Sequence, residues 1–101
     1  MVWIMMIHEE ISFSRKSCEE GFGFICMKAA YLYGVTGRMD YSPGTEVRIL
    51  AEGEQSRMSE FIEWIGINLA DPKTMLTHNT LNYSGKFKEF DIYLHSIQHI
   101  I

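Results

Sequence analysis

The stretch VTGRMDYSPGTEVRILAEG, residues 35–53, has the pattern of a β-hairpin. Pro43 fixes its own φ and Gly44 permits a positive φ, so the central SPG is typical of a turn. Val47, Ile49 and Ala51 lie two residues apart, which predicts that they share the buried face of the second strand. The stretch therefore predicts two paired strands, and the elements on either side indicate which fold contains them.

A strand and a helix are predicted on the N-terminal side of this hairpin. In EISFS, residues 10–14, Ile11 and Phe13 alternate with serines, which predicts a strand with one buried face. Apolar residues at helical spacing predict a helix over residues 24–33, and Gly34 fits its C-terminal cap. The chain up to residue 53 therefore has the order β-α-β-β.

A second helix and further strands are predicted after the hairpin. Ser56 or Ser59 can cap a helix that ends before Pro72, and its apolar positions are Met58, Phe61, Ile62, Ile65 and Leu69. Residues 74–85 and 87–94 are consistent with strands. The order β-α-β-β-α-β with an additional strand predicts an α+β, ferredoxin-like sandwich, in which two helices cover one face of an antiparallel sheet.

Composition limits the classes of partner that the chain can bind. A chain of 101 residues that is 47% hydrophobic corresponds to one globular domain. The formal net charge of -4 and the lack of a long basic run argue against binding to nucleic acid. The opening MVWIMMI is too short to span a bilayer, which takes about 20 residues, so we expect no membrane association.

The chain termini are apolar and lie outside the patterned region. We expect an N-terminal extension over residues 1–7, one domain over residues 8–94 and a C-terminal tail over residues 95–101. The stretches VWIMMI and IQHII are difficult to bury in a compact domain of this class. They suggest a homodimer formed through the terminal apolar segments.

Metal and cofactor sites are not indicated by the sequence. His95 and His99 lie four apart, a spacing that can bind zinc on a helix, but no third ligand is evident nearby. Cys18 and Cys26 lie eight apart without a CxxC motif, so we interpret them as reduced thiols of a cytoplasmic protein. We therefore expect no metal and no cofactor.

Four stretches of the chain carry a resemblance to a known family. They are the loop RKSCEEGFGF (15–24), the hairpin with its ending AEG, the lead AEGEQSRMSEFIEWI (51–65) into the second helix, and the last strand YSGKFKEFDIYL (83–94). In spacing and pattern, residues 8–94 resemble the acylphosphatase family. The resemblance implies a ferredoxin-like fold and the hydrolysis of acyl phosphates without a cofactor.

The residues that this resemblance assigns to catalysis differ in this chain. In the family, an arginine after the loop holds the phosphate together with backbone amides, and an asparagine on the second strand positions the attacking water. The arginine position falls on Gly23, or on Ile25 in a shifted alignment, and the asparagine position falls on Tyr41. Glu19 and Glu20 replace a glycine and a valine of the loop. The motif is therefore degenerate, and we expect no efficient hydrolysis.

The loop nevertheless supplies the candidate residues for binding an anion or another ligand. They are Arg15, Lys16, Ser17, Cys18, Glu19, Glu20, Gly21, Phe22 and Gly23. The main hypothesis is a relative that binds a small ligand or a protein through this loop and Tyr41. One alternative is a weak acylphosphatase that uses Arg15 or Lys16, although both are expected to be solvated. Another is a module like that of the carbamoyl-transfer maturation proteins.

Overall fold

The computed structural model describes residues 4–17 and 21–95 of the chain. Its elements are β1 (Met6–Ser14), α1 (Phe22–Leu32), β2 (Thr36–Tyr41), β3 (Glu46–Glu54), α2 (Gln55–Asn68), β4 (Thr77–Leu81) and β5 (Phe90–Leu94). Over these described residues, neither helix has the length and apolar character needed to cross a membrane.

The five strands form one sheet in the order β4-β1-β3-β2-β5. Neighbouring strands are antiparallel except β2 and β5, which are parallel. The split βαβ units place β3 between β1 and β2, and place β1 between β4 and β3. The predicted α+β, ferredoxin-like sandwich is confirmed, and β5 is the additional strand.

The core lies between one face of the sheet and the two helices. Val47, Ile49 and Ala51 are buried, as their spacing predicts. The other buried apolar residues of the strands and helices are Ile7, Ile11, Phe13, Phe22, Cys26, Ala29, Ala30, Met39, Met58, Phe61, Ile65 and Phe90. Because both helices pack on this face, the opposite face is referred to below as the open face of the sheet.

The first strand begins earlier than the sequence pattern indicates. β1 starts at Met6 rather than at residue 10, because β3 extends to Glu54 and offers pairing partners to Met6 and Ile7. Part of the predicted N-terminal extension therefore lies in the sheet. Residues 1–3 and 96–101 are outside the described part of the chain, so the domain limits at residues 7 and 95 stay predictions.

The helix ends show which of the predicted caps are formed. Gly34 adopts a φ of 67°, and the N–H groups of Gly34 and Val35 donate to the carbonyls of Tyr31 and Ala30. This is a Schellman motif, and the predicted glycine cap is confirmed. The predicted serine caps of α2 are wrong: Glu54 is the N-cap, and the Ser59 hydroxyl instead donates to the carbonyl of Gln55.

A buried carboxylate on β3 holds the connection between β4 and β5, which runs from one edge of the sheet to the other. Glu52 is 1% exposed and accepts hydrogen bonds from the backbone N–H of Ser84 at 2.9 Å, the Ser84 hydroxyl at 2.6 Å and the backbone N–H of Gly85 at 3.0 Å. His8 Nδ1 lies 2.7 Å from the same carboxylate. Burial raises the pKa of Glu52, but these hydrogen bonds outweigh it and hold the pKa below its usual value.

We predict that Glu52→Gln destabilises the fold most strongly near neutral pH. Ser84 and Gly85 donate to different oxygens of Glu52, and an amide turns its N–H₂ group toward one of these two residues, so we expect a loss of about 2 kcal/mol in the free energy of unfolding. The folded pKa is lowered, so the stabilisation is present above the ordinary value of about 4.5 and is lost as the pH falls through the folded value.

Urea titrations at several pH values measure this difference between the wild type and the variant. The exposed carboxylate of Glu46 on the same strand provides the control variant Glu46→Gln. An equal loss in both variants, or a gap that does not narrow in acid, would contradict the assignment of Glu52 as the anchor of this connection.

Candidate functional site

The predicted loop leaves β1 at a corner where four segments of the chain meet. The backbone N–H of Arg15 donates to the carbonyl of Thr45 in the β2–β3 turn, and that of Lys16 donates to the carbonyl of Leu69 after α2. Gly21, with a φ of 83°, then leads into α1. Cys18, Glu19 and Glu20 lie outside the described residues, so their assignment to the loop site stays a prediction.

The structure buries Arg15 instead of leaving it in solvent. The side chain is 4% exposed, its Nε–H donates to the carbonyl of Gly44 at 3.0 Å, and its Nη2–H donates to that of Ser42 at 3.0 Å. The guanidinium carbon lies 4.8 Å from the ring centre of Phe22 and 5.1 Å from that of Tyr41. The expectation that Arg15 is solvated is wrong, because its side chain is fixed against the hairpin turn and two aromatic rings.

A sequence signal for this burial exists in the period of β1. Ile11, Phe13 and Arg15 are two residues apart, and all three are buried. Alternation in a strand places such residues on one face, so the pattern that predicts Ile11 and Phe13 inward extends to Arg15. The charge of Arg15 concealed that signal, because a charged residue at a strand end is ordinarily solvated.

Lys16 and Ser17 occupy the entrance of the loop. Lys16 is exposed, as predicted, and its Nζ lies 3.5 Å from the carbonyl oxygen of Ile67. Ser17 is half-buried and lines a small hollow between the two helices together with Phe22, Ile25 and Trp64. Lys16 is therefore a cation that a ligand at the loop entrance can reach.

Gly23, the position at which the resemblance implies an arginine, is covered by two side chains. A Cβ atom on Gly23 would lie 2.9 Å from the Tyr41 hydroxyl oxygen and 2.9 Å from Ile92 Cγ2. The Tyr41 ring meets Phe22 edge-on, with 5.5 Å between the ring centres. Ile25, the other aligned position, is 47% exposed one turn into α1. Gly23 is thus required for the close approach of Tyr41, and no local sequence pattern indicates the contact with Ile92.

Other ionisable groups near this corner are committed to structural contacts. Arg38 donates to both carboxylate oxygens of Asp40, at 2.8 and 2.6 Å, and lies over the ring of Tyr93 at 4.1 Å. His95 Nε2 lies 2.7 Å from Asp40, and the hydrogen bonds from Arg38 lower the pKa of Asp40. As the strand period predicts, Arg38 is on the open face and Tyr41 is on the helix side.

Neither a reactive thiol nor a metal cluster is found in the part of the chain that the structure describes. Cys26 is a free, fully buried thiol, and burial raises its pKa to about 12, so it carries almost no thiolate at neutral pH. No three His, Cys, Asp or Glu side chains within residues 4–17 and 21–95 are grouped in a way that could hold a metal ion. His99 lies outside these ranges.

We predict that Arg15→Met lowers the free energy of unfolding by about 2–3 kcal/mol, because it removes two hydrogen bonds from a charged donor and the stacking on two rings. Arg15→Lys keeps the charge but cannot reach both carbonyls, so its free energy of unfolding should lie between those of Arg15→Met and the wild type. Urea unfolding followed by tryptophan fluorescence measures these values. Lys16→Met is the matched control and should leave the stability unchanged; an Arg15→Met variant as stable as this control would show that Arg15 has no structural role.

Comparisons with known proteins agree with the architecture. No protein-family model matches the sequence, and neither does any curated protein. Among solved structures, the acylphosphatase from Bacillus subtilis is 19% identical, with a TM-score of 0.68, over 88% of this chain and 99% of that one.

Full-length HypF in its phosphate- and nucleotide-bound form is 20% identical, with a TM-score of 0.70, over 94% of this chain. This chain spans only 12% of the length of that HypF. BlrB, a BLUF protein in its dark state, is 14% identical, with a TM-score of 0.69, over 92% of this chain and 75% of that one. What these proteins share with the chain at such identities is the fold, and its architecture is that of an acylphosphatase-like domain.

Proposed function

We propose that this acylphosphatase-like domain is a binding relative that hydrolyses acyl phosphates inefficiently or not at all. The binding site is assigned to the loop of residues 15–23 together with Tyr41, and its occupant is a small ligand or a protein. The fold alone carries no function, since structures with the same architecture include a BLUF protein as well as an acylphosphatase. The proposal therefore depends on the side chains of the corner.

The observation that carries the proposal is the close packing of Gly23 under Tyr41 and Ile92. Hydrolysis of an acyl phosphate needs a cation that holds the phosphoryl oxygens and a group that orients the water. Here the space in which an arginine side chain would begin is filled by the Tyr41 hydroxyl, and a phenol replaces the amide. Each missing transition-state donor typically costs about 10²–10³ in rate.

Arg15 does not replace the missing arginine in this arrangement. Two of its N–H groups are held by the carbonyls of Ser42 and Gly44, and its guanidinium carbon lies 4.8 Å and 5.1 Å from the ring centres of Phe22 and Tyr41. A bidentate contact with phosphate needs two parallel N–H groups on one edge of the guanidinium. The edge formed by Nε–H and Nη2–H is held by the hairpin turn, so a phosphate could meet only the remaining edge between Nη1 and Nη2, and we do not assign Arg15 as its ligand.

One observation favours the alternative of a weak acylphosphatase. Within residues 4–17 and 21–95, no carboxylate forms an ion pair with Arg15, and the exposed Lys16 is its neighbour. Two adjacent cations at the loop entrance attract anions. In this alternative, an acyl phosphate is hydrolysed to a carboxylate and phosphate, with Arg15 or Lys16 as the phosphate ligand.

The remaining parts of the proposal concern the cellular location of the domain and its partners. A cytoplasmic location is compatible with the free thiol of Cys26, because reduced cysteines are usual in that compartment. No cofactor and no nucleic acid are invoked, and a homodimer through the terminal apolar segments is kept as a proposal. A role as a module like that of HypF is a third proposal, and the packing of Gly23 argues equally against catalysis in that setting.

Hydrolysis of benzoyl phosphate by the purified protein tests the proposal. We expect no turnover above that of buffer in the wild type and a measurable rate in the double variant Gly23→Arg/Tyr41→Asn. The second substitution removes the phenol that meets the new Cβ, and the remaining contact with Ile92 is with a side chain that can change rotamer. The double variant should therefore fold and place both groups of the family's motif.

The single variant Gly23→Arg is the matched control. It keeps the Tyr41 hydroxyl at 2.9 Å from the new Cβ, so it should be less stable than the double variant and inactive. Turnover by the wild type that is lost in Lys16→Gln or Arg15→Lys would overturn the proposal in favour of the weak enzyme. Failure of a folded double variant to bind inorganic phosphate or turn over substrate would show that the corner is not a modified acylphosphatase site.

A further inference from the structure

The strand β5 forms one edge of the sheet, and no other strand among residues 4–17 and 21–95 pairs with the outer row of its backbone groups. The N–H of Gly37 donates to the carbonyl of Glu89, and the N–H of His95 donates to the carbonyl of Tyr41. Odd-numbered residues of β5 therefore turn their backbone groups toward β2. The N–H and C=O groups of Phe90, Ile92 and Leu94 point away from the sheet, in the direction where the sheet order gives no further strand.

An exposed apolar surface on α1 lies directly beside this edge. Phe24 and Tyr31 are 62% and 85% exposed, and with Met27 they line a groove whose other wall is Lys88 and Phe90. Leu94 at the end of β5 is 58% exposed on the same side of the sheet. The groove and the strand edge are therefore one continuous surface, in which aromatic and aliphatic side chains lie next to unpaired backbone groups.

The two edges of the sheet differ in their protection against pairing. Edge strands of monomeric proteins usually carry lysine, proline or a bulge that prevents a second strand from adding. β5, with the sequence FDIYL, has a single charged residue and no proline, whereas β4, with the sequence THNTL, has one large apolar residue. An exposed apolar helix face adjoins β5, and this combination is typical of an interface.

We propose that a second copy of this chain pairs with β5, antiparallel, about a two-fold axis at Ile92. In this register Ile92 lies opposite Ile92 of the partner subunit, and Phe90 lies opposite the partner's Leu94. All three residues have outward backbone groups, so the register forms hydrogen-bonded pairs along the whole strand. The two five-stranded sheets become one continuous sheet.

Charge selects this register over its neighbours. Centred on Ile92, the pairing places Asp91 opposite a tyrosine and Glu89 opposite a histidine, so an acidic residue faces a neutral or basic one. A shift that centres the axis on Asp91 places two aspartates directly opposite each other, which destabilises a strand pair. A shift to Tyr93 leaves Phe90 beyond the end of the partner strand. The Ile92 register alone matches the full length of β5.

The same two-fold axis explains the exposed face of α1. Both copies of α1 lie on the helix-bearing side of the joined sheet, next to the seam, because α1 packs against β2 and β5. Their outer faces then meet across the axis and bury Phe24 and Tyr31, which are otherwise in water. Pairing of the two β5 strands sets the relative direction and register of the subunits, and packing of the two α1 helices buries apolar side chains.

Sedimentation equilibrium over about two decades of protein concentration tests the proposal, because a self-associating chain changes its mean mass with concentration. We expect a rise from the 11.7 kDa of the monomer toward twice that mass. Leu94→Lys should raise the dimer dissociation constant by about tenfold or more, because each subunit places a charge at the seam. Phe24→Lys/Tyr31→Lys should weaken the dimer similarly.

Leu81→Lys on β4 is the matched control, because Leu81 is 48% exposed at the opposite edge of the sheet. It should leave the dissociation constant unchanged. Hydrogen exchange gives a second readout that needs no substitution: the amides of Phe90, Ile92 and Leu94 should become more protected as the concentration rises, and the amides of β4 should not.

A chain truncated after His95 separates this interface from one formed by the terminal segment, and it should dimerise like the full chain. A mass of one chain at every concentration would overturn the proposal. Loss of the dimer in Leu81→Lys but not in Leu94→Lys, or loss on truncation alone, would overturn it in favour of β4 or of the C-terminal segment.

Discussion

The burial of the Arg15 guanidinium is the interaction on which the candidate site depends. Its two hydrogen bonds join the end of β1 to the carbonyls of the β2–β3 turn, and its guanidinium lies within cation–π distance of Phe22 at the start of α1 and of Tyr41 at the end of β2. The end of β1, the start of α1 and the β2–β3 hairpin therefore meet at one side chain. A cation removed from water needs such compensation, because burial without partners costs several kcal/mol.

Gly23 and Tyr41 are two parts of one packing arrangement. The sequence presents them as two separate departures from the family's pattern, and each alone could be an isolated loss. The structure places the Tyr41 hydroxyl where a side chain at position 23 would begin, so the tyrosine requires the glycine. The same tyrosine ring stacks against Arg15. The corner is therefore a connected set of contacts, in which Gly23, Tyr41 and Arg15 depend on one another.

More of the fold than of the candidate site could be predicted from the sequence. Val47, Ile49 and Ala51 are buried because a two-residue period at a turn-flanked strand has one physical interpretation. The same period does not predict that β1 begins at Met6, because His8 and Glu9 interrupt the apolar pattern. Their contacts explain why they are tolerated: His8 binds Glu52, and Glu9 accepts from Thr80 at 2.5 Å on β4. Because these partners lie about 40 and 70 residues away along the chain, no local sequence pattern predicts the contacts.

The chemistry of the corner also sets the relation between its stability and its activity. An asparagine at position 41 would present an amide to a water molecule but would take away one of the two rings that cover Arg15. An arginine at position 23 would bring a second guanidinium close to the first, and like charges in a partly buried space repel. Any arrangement that rebuilds phosphate chemistry here must therefore expose or neutralise Arg15. Contacts that stabilise this fold and contacts that would hold a phosphate therefore draw on the same few side chains, Arg15, Gly23 and Tyr41.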